Sequence, residues 1–408
     1  QYVPSRTFVV SSRTFDQPEK EGDAVKVAVL GYGTVGTGVY SMLSDAPGME
    51  AGPVLVRPGK AVESFMVSDA ALIFGDPTVD AVVETLGGLD PAYSYGMRAL
   101  EAGKHFITAN KAMVAAHGLE LAALAREKGA AFLFSAACGG GVPFLHNLAL
   151  SAETDRIEAV SGILNGTTNY MLDAMQRRGL SYGDALREAQ SLGYAESDPT
   201  ADISGLDALR KMQLACAVAF GVLPQSGMLC EGMEHFTAAD VEDIQSRGLV
   251  CRLMARGSHA GESVSAYVEP VLFPRAAPES SVFTNNNMAR YTGKRCGSIV
   301  LMGQGAGRFP TASAVLRDLS AAQQGARSMF PENCRAAEAD NREAVHSYYI
   351  RTGGFAAVRL SLRSVLAQGE VVRAVTEPMS AEKMHALAQN IRKDGNDLFF
   401  AALEEELC

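Results

Sequence analysis

The sequence predicts an α/β chain whose first half is built on a parallel, doubly wound sheet, and two observations carry that expectation. From residue 25, short β-branched runs alternate with longer amphipathic segments, the spacing of repeated βα units. Between the first run and the first amphipathic segment stands a glycine-rich stretch, GYGTVG at Gly31–Gly36. In order, VKVAVLG reads as a buried strand and TVGTGVYSMLSD as a helix that ends before Pro47. GPVLVR, VDAVVETLGG and KHFITAN read as the second, third and fourth strands. HGLELAALAREKG carries apolar residues at helical spacing, and AAFLFSAA reads as a fifth strand. Right-handed crossovers follow from strand twist.

After CGGGVPFLHNLAL the texture changes. DRIEAVSGIL is a strand that runs into NGTTNYMLDAM, a turn followed by a helix, and helical stretches dominate to about residue 224. Strands return at ESVSAYVEPVLF and GSIVLMG, so a mixed α+β domain on an open sheet is expected over 151–300. GQGAGRFPTASAVLRDLSAA predicts a return to the first domain over 301–330. The tail, 341–408, reads as a small strand–helix unit of its own, and 1–24, with its repeated SRTF, as an N-terminal arm.

Composition narrows the function classes. A chain of 408 residues is long enough for two to three domains, and 47% hydrophobic residues supply sizeable cores. A net charge of −10 leaves no basic footprint for nucleic acid. The seven cysteines are odd in number and lack any C-x-x-C pair, which suits reduced thiols in a cytoplasmic protein. The longest apolar run, LACAVAFGVL, is about half the ~20 residues a membrane span requires.

GYGTVG follows a strand and opens a helix, the context in which such glycines hold a dinucleotide. Gly31 permits the tight turn, Gly33 a close backbone approach to pyrophosphate, and Gly36 helix–strand packing. The new helix's N-terminus, at Thr34 and Val35, offers free N–H groups to phosphate. After the second strand, VRPGK supplies no acid for a ribose 2′-hydroxyl, whereas Arg57 and Lys60 suit a 2′-phosphate, a lean to NADP over NAD. Lys111 in ITANKAMVA stands at the carboxyl end of a parallel strand, where ligands bind, although taken alone a surface lysine is the better reading. NGTTNY is either a capped helix start or a polar pocket. DPTADISGLDALRKM sets Asp207 and Lys211 at i and i+4 on one helix face. Spacing alone reads them as a surface ion pair worth ~0.3–0.5 kcal/mol, or as part of a carboxylate cluster with Glu196, Asp198 and Asp202 that holds a substrate ammonium.

Together and in this order, GYGTVGTGV, GKHFITANKAMVA, GILNGTTNYML, EAQSLGYAESDPTADISGLDALRKM and GQGAGRFPTASAVLRD resemble the homoserine dehydrogenase family over about 25–323. The resemblance implies a Rossmann domain over 25–150, a substrate and dimerisation domain over 151–300, and an ACT-type unit over 341–408. It implies interconversion of aspartate 4-semialdehyde and homoserine with NADP or NAD. It also implies a homodimer or homotetramer, and a monofunctional enzyme because no kinase-sized region precedes the fingerprint. Lys211 matches the family's proton donor with Asp207 beside it, and Lys111 the second active-site lysine, near the nicotinamide. Glu196, Asp202, Tyr194, Gly166 and Thr167 match residues around the substrate's amino-acid end. Gly87, Thr108, Gly193 and the Gly303–Gly305 turn match cofactor positions.

Two departures stand out. Where the family carries an acid and a small hydroxyl residue ahead of its glycine-rich loop, FSAACGGGVP has Ser135 and Ala137, with Cys138 in place of an aliphatic residue. That loop holds a structural sodium ion in some members. Without the carboxylate no metal is expected, and the remaining candidate ligands are the backbone oxygens of Cys138, Gly140 and Val142. The tail begins SYYIR as the family's ACT units do, but TGGFAAVR replaces their Asp-x-Pro-Gly turn, which implies a degenerate unit used for packing or assembly. These departures motivate an alternative, a diverged member acting on another small amino or hydroxy aldehyde. A catalytically inactive nucleotide-binding protein is the remaining alternative.

Overall fold

The computed structural model describes residues 24–404 apart from Glu262 and Phe355. The expected N-terminal arm with its SRTF repeat lies outside the described residues, Ala24 excepted, as does Cys408.

The first unit is a six-stranded, all-parallel sheet of β1 (Val25–Leu30), β2 (Met49–Leu55), β3 (Met66–Val67), β4 (Ala81–Glu84), β5 (His105–Thr108) and β6 (Phe132–Leu133). Their order is β3-β2-β1-β4-β5-β6. Helices cover such a sheet on both faces, which is why β4 is buried at every position and reads as a continuous apolar run. The strand order reverses between β1 and β4, and a cleft opens there beyond the carboxyl ends of the strands. Two local details differ from expectation. β3 escapes the sequence because two residues carry no period, and the fifth expected strand shortens to Phe132–Leu133 before a 3₁₀ turn at Ser135–Ala137. The helix Lys111–Lys128 starts where the Asn110 side chain accepts the Met113 N–H, and stops at left-handed Gly129.

The second unit rests on one large mixed sheet. Gly297–Gln304, Asn286–Gly293, Ile157–Ile163, Leu249–Ala260 and Ser263–Pro274 lie in that spatial order, with Leu229–Cys230 pairing beside the last. The strand Leu249–Ala260, unmarked in the sequence, forms a twelve-rung antiparallel ladder with Ser263–Pro274. Helix Leu206–Phe220 packs on the sheet and buries eleven of its residues, Asp207 and Lys211 among them. The chain then returns to the first unit. Gly38 of the helix Thr34–Leu43 has no room for a Cβ, which would stand 2.8 Å from the Arg308 backbone oxygen, and Ser328 bridges β6 in parallel.

Apart from the two-residue pair Val345–His346 and Met379–Ser380, the tail's strands join the large sheet. Leu398–Leu403 pairs parallel to Ser263–Pro274 and brings Tyr348–Gly353, Val371–Thr376 and Leu362–Ala367 onto the same sheet. Within the tail the order is βαββαβ, the first helix cut to a 3₁₀ turn at Ala356–Arg359 and the second running Ala381–Lys393. Ile163, Met254 and Met288 of the large sheet share a core with Ile350, Phe400 and Met384 of the tail.

Candidate active site

Two cavities meet the chain's polar motifs. The first, about 1050 Å³, opens at the carboxyl ends of β1, β2 and β4 and is lined by Gly31, Gly33, Arg57, Lys60 and Gly87. Its floor fits a dinucleotide. Gly33 faces open space, whereas a Cβ on Gly36 would stand 2.1 Å from the Gly31 carbonyl oxygen, so only glycine lets helix and strand close together. Thr34 and Gly36 themselves line neither cavity, and Val35 faces the second.

Thr108 needs correction as a cofactor contact. It is fully buried, lines neither cavity, and donates to Glu84 Oε2 at 2.5 Å. Glu84, at the end of β4, also accepts the Leu86 and Gly87 N–H groups at 2.6 and 3.1 Å. Burial pushes its carboxyl up, and these donors pull it partly back. Glu84 thus shapes the turn that carries Gly87, a task that an isolated acid at a strand end does not announce in sequence.

The second cavity, about 710 Å³, lies where the two units face each other. Lys111, Val35 and Gly140 come from the first. Gly166, Thr167, Gly193, Tyr194, Glu196, Asp202, Asp207 and Lys211 come from the second, and Gly305 from the turn between them. Gly303, Cys138 and Val142 do not reach its lining. At its centre is one carboxylate between two ammonium groups. Lys211 Nζ lies 2.7 Å from Asp207 Oδ2, and Lys111 Nζ lies 3.0 Å from Asp207 Oδ1. Lys211 Nζ also donates to the Leu164 carbonyl at 2.6 Å. Asn165 Nδ2 reaches both Asp202 Oδ1 at 2.7 Å and Asp207 Oδ2 at 2.9 Å, while its Oδ1 caps the next helix through the Thr168 N–H. The asparagine of NGTT therefore ties the two aspartates together, a role for which only its place at the head of the motif gave a signal. Thr167 donates to the Tyr194 carbonyl at 2.6 Å and closes the opposite wall.

Electrostatics separate these carboxylates. Burial opposes the charge on Asp207, but Lys211 and Lys111 overcome it and hold the carboxyl well below its usual range. Burial likewise opposes the Lys211 charge, and Asp207 overcomes it, so the ammonium persists above the ordinary lysine range. Asp202, with burial and no lysine in contact, moves up. The Cys138 thiol is fully buried and pushed up to about 12 by desolvation, the behaviour of a packing residue rather than a nucleophile.

The glycine-rich loop and the turn ahead of it are fixed by hydrogen bonds. Ser135 donates its hydroxyl to Asp318 Oδ1 at 2.6 Å and its N–H to Asp318 Oδ2 at 2.8 Å. Val142 O accepts the Phe144 N–H at 2.7 Å, and Arg317 donates to the Gly141 carbonyl at 3.2 Å. Among the described residues no cluster of three or more His, Cys, Asp or Glu is arranged for a metal ion. Nor is any helix long and apolar enough to cross a membrane.

A dinucleotide cleft that leads to a lysine–carboxylate cluster defines an NAD(P)-dependent oxidoreductase. The family description "Homoserine dehydrogenase, NAD binding domain" matches residues 31–135, and "Homoserine dehydrogenase" matches 143–320. A homoserine dehydrogenase of Corynebacterium glutamicum is 38% identical, over 76% of this chain and 74% of its own length. One from Bacillus subtilis is 34% identical, over 74% of each. The solved homoserine dehydrogenase of Thiobacillus denitrificans superposes with a TM-score of 0.83 at 29% identity, over 94% of this chain and 98% of that one. A hyperthermophilic archaeal homoserine dehydrogenase solved in complex with NADPH gives 0.64 at 25% identity, over 76% of this chain and 100% of that one. The chain belongs to the homoserine dehydrogenase family, oxidoreductases acting on a CH–OH group with NAD or NADP.

Proposed function

We propose that Lys211 is the proton donor of this homoserine dehydrogenase and that Asp207 keeps it charged and aimed. The observation that carries the reading is the buried Asp207 carboxylate held between Lys211 and Lys111. The chemistry a bound dinucleotide supplies is hydride transfer at the alcohol carbon, with Gly31, Gly33, Gly87, Arg57 and Lys60 as its holders. In the reducing direction the carbonyl oxygen gains negative charge, and the Lys211 ammonium gives it a proton. In the oxidising direction the neutral Lys211 amine takes the hydroxyl proton as the carbon–hydrogen bond breaks. Lys111 carries a second positive charge beside the reacting oxygen. Glu196 and Asp202 offer carboxylates to the substrate's α-ammonium, with Gly166, Thr167 and Tyr194 shaping the wall, and Gly193 and Gly305 adjoin the cofactor. Replacing Lys211 with Ala lowers kcat by about 10²–10⁴-fold and leaves cofactor binding, read by fluorescence titration, near wild type. Comparable turnover in that variant removes Lys211 from the role.

Arg57 and Lys60 on the first cavity support NADP as the preferred cofactor. Assembly as a homodimer or homotetramer is supported by the edge strand Gly297–Gln304, where Val300 and Met302 stay 43% and 60% exposed, and sedimentation velocity tests it. The six free cysteines among the described residues support a reducing, cytoplasmic setting, tested by thiol titration of freshly isolated protein. The tail's βαββαβ order supports a degenerate ACT-like unit that serves packing, tested by the absence of a threonine effect on rate.

A further inference from the structure

The helix that carries Asp207 and Lys211 begins at Gly205, whose φ is +82°, a left-handed turn natural to glycine. The segment Leu229–Met233 is wedged against that turn. A Cβ on Gly205 would stand 3.1 Å from Cys230 Sγ, and one on Gly232 only 2.2 Å from the Ile203 carbonyl oxygen. The Cys230 thiol donates to the Ser204 carbonyl at 3.0 Å, and the Met233 N–H to the Ile203 carbonyl at 2.9 Å. Between those two anchors sits Glu231, 8% exposed, its N–H held by the Val268 carbonyl at 2.8 Å.

What fixes Glu231 comes from the tail. Arg392, in the last turn of the helix Ala381–Lys393, grips the carboxylate with both terminal nitrogens, at 2.9 and 2.6 Å. The same guanidinium donates to the Leu398 carbonyl through Nε at 3.1 Å and Nη2 at 2.7 Å, so its orientation is set at both ends. The catalytic carboxylate lies two residues beyond Gly205, and its partners Lys111 and Asn165 sit on other elements. A shift of the Gly205 turn therefore moves Asp207 relative to groups that do not move with it.

We propose that Glu231 and Arg392 are positioning residues for the reaction, and that through Cys230 and the Gly205 turn they set where Asp207 and Lys211 stand. The tail thus acts on catalysis by holding the start of the catalytic helix, through residues that do not line the substrate cavity. Another tail contact docks on a different element. Tyr349 donates to Asp243 at 2.9 Å, whereas Arg351, which pairs with Asp240 at 2.7 Å, also donates to the His235 carbonyl at 2.8 Å, close to the Met233 anchor. Tyr349 therefore provides the control that separates docking from positioning.

The proposal rests on the roles given to Asp207 and Lys211, which Lys211→Ala tests independently. In the full-length enzyme, Arg392→Gln lowers kcat by about tenfold with the KM for cofactor unchanged, because a displacement well under 1 Å at a reacting group has effects of that order. It also moves the alkaline limb of homoserine oxidation to lower pH, since Lys211 loses part of its hold on Asp207. The charged and titratable groups facing Lys211 are Asp207, Asp202, Lys111 and Cys138, and none is altered by the substitution. Arg392→Lys, which keeps one charge near Glu231, recovers most of kcat and the pH profile. Tyr349→Phe, which removes a docking hydrogen bond away from the turn, lowers thermal stability yet keeps kcat and the profile. If Arg392→Gln does not fold, Cys230→Ala cuts the link to Ser204 with the clamp intact and gives the same direction of change in both readouts. Wild-type kcat and pH profile in Arg392→Gln or in Cys230→Ala overturns the proposal. So does the same loss of kcat in Tyr349→Phe, which would mean that docking alone is at work.

Discussion

Asp207 and Asp318 are both aspartates on helices, 8% and 1% exposed, and their environments drive them in opposite directions. Asp318 accepts a hydroxyl and an N–H from Ser135 and feels the charge of Arg317 without an ion pair, and burial outweighs these and pushes it up to about 7. Asp207 is buried too, but two ammonium groups hold it ionised far below that. The difference teaches that burial sets the cost of a charge and the neighbours decide whether it exists. The buried anion with cationic neighbours lines the substrate cavity. Asp318, with no ammonium in contact and only the weaker pull of Arg317, pins Ser135 in the turn ahead of the glycine-rich loop.

The comparison breaks first at the lysine. Lys211→Ala has the largest expected effect, because it removes both the proton donor and the charge that keeps Asp207 ionised.

Next in size is the cofactor cleft, where Arg57 and Lys60 line the first cavity. Changing both to Ala raises the KM for NADP by about tenfold, the loss of one to two charge-assisted contacts, and leaves that for NAD within about twofold. Equal effects on both cofactors in initial-rate assays would detach these residues from the 2′-phosphate.

The smallest effect belongs to Asp318, and it is one of stability. Its folded-state pKa of about 7 stands above the unfolded value of about 4, so the folded chain keeps a proton that the unfolded chain releases. The stability this supplies is complete below about pH 4 and is lost as the pH rises to about 7. Glu84, also raised by burial, acts with the same sign. Thermal melts at pH 5 and 8 therefore show the wild type losing a few degrees more than Asp318→Asn across that interval. An identical loss in the two proteins would mean that Asp318 is already ionised at pH 5.

The sequence made the cleft legible because its signals are local. GYGTVG needs only a strand before it and a helix after it, and NGTT and LDALRK are short runs on single elements. What it hid is long-range. Asn165 bridges Asp202 and Asp207 across a turn and two helices, Asp318 meets Ser135 from a distant helix, and neither pairing leaves a period or a spacing. The family resemblance sets Thr108 among the cofactor positions, yet its hydroxyl turns inward to Glu84. The tail looked self-contained because its own strands and helix are regular. The register of Leu398–Leu403 on Ser263–Pro274 that merges it with the large sheet is a tertiary fact.

The central claim, that Asp207 holds the Lys211 ammonium in place and charged, is tested most directly by the pH profile of kcat for homoserine oxidation in Asp207→Asn. In the wild type Asp207 raises Lys211, so freeing the amine takes a higher pH than it would without that partner. In the variant, burial acts on Lys211 without that partner, so the limb on which the rate rises with pH moves to lower pH even as the maximal rate falls. A limb that stays where it is in the wild type would contradict the account, since the titrating group would then owe nothing to Asp207.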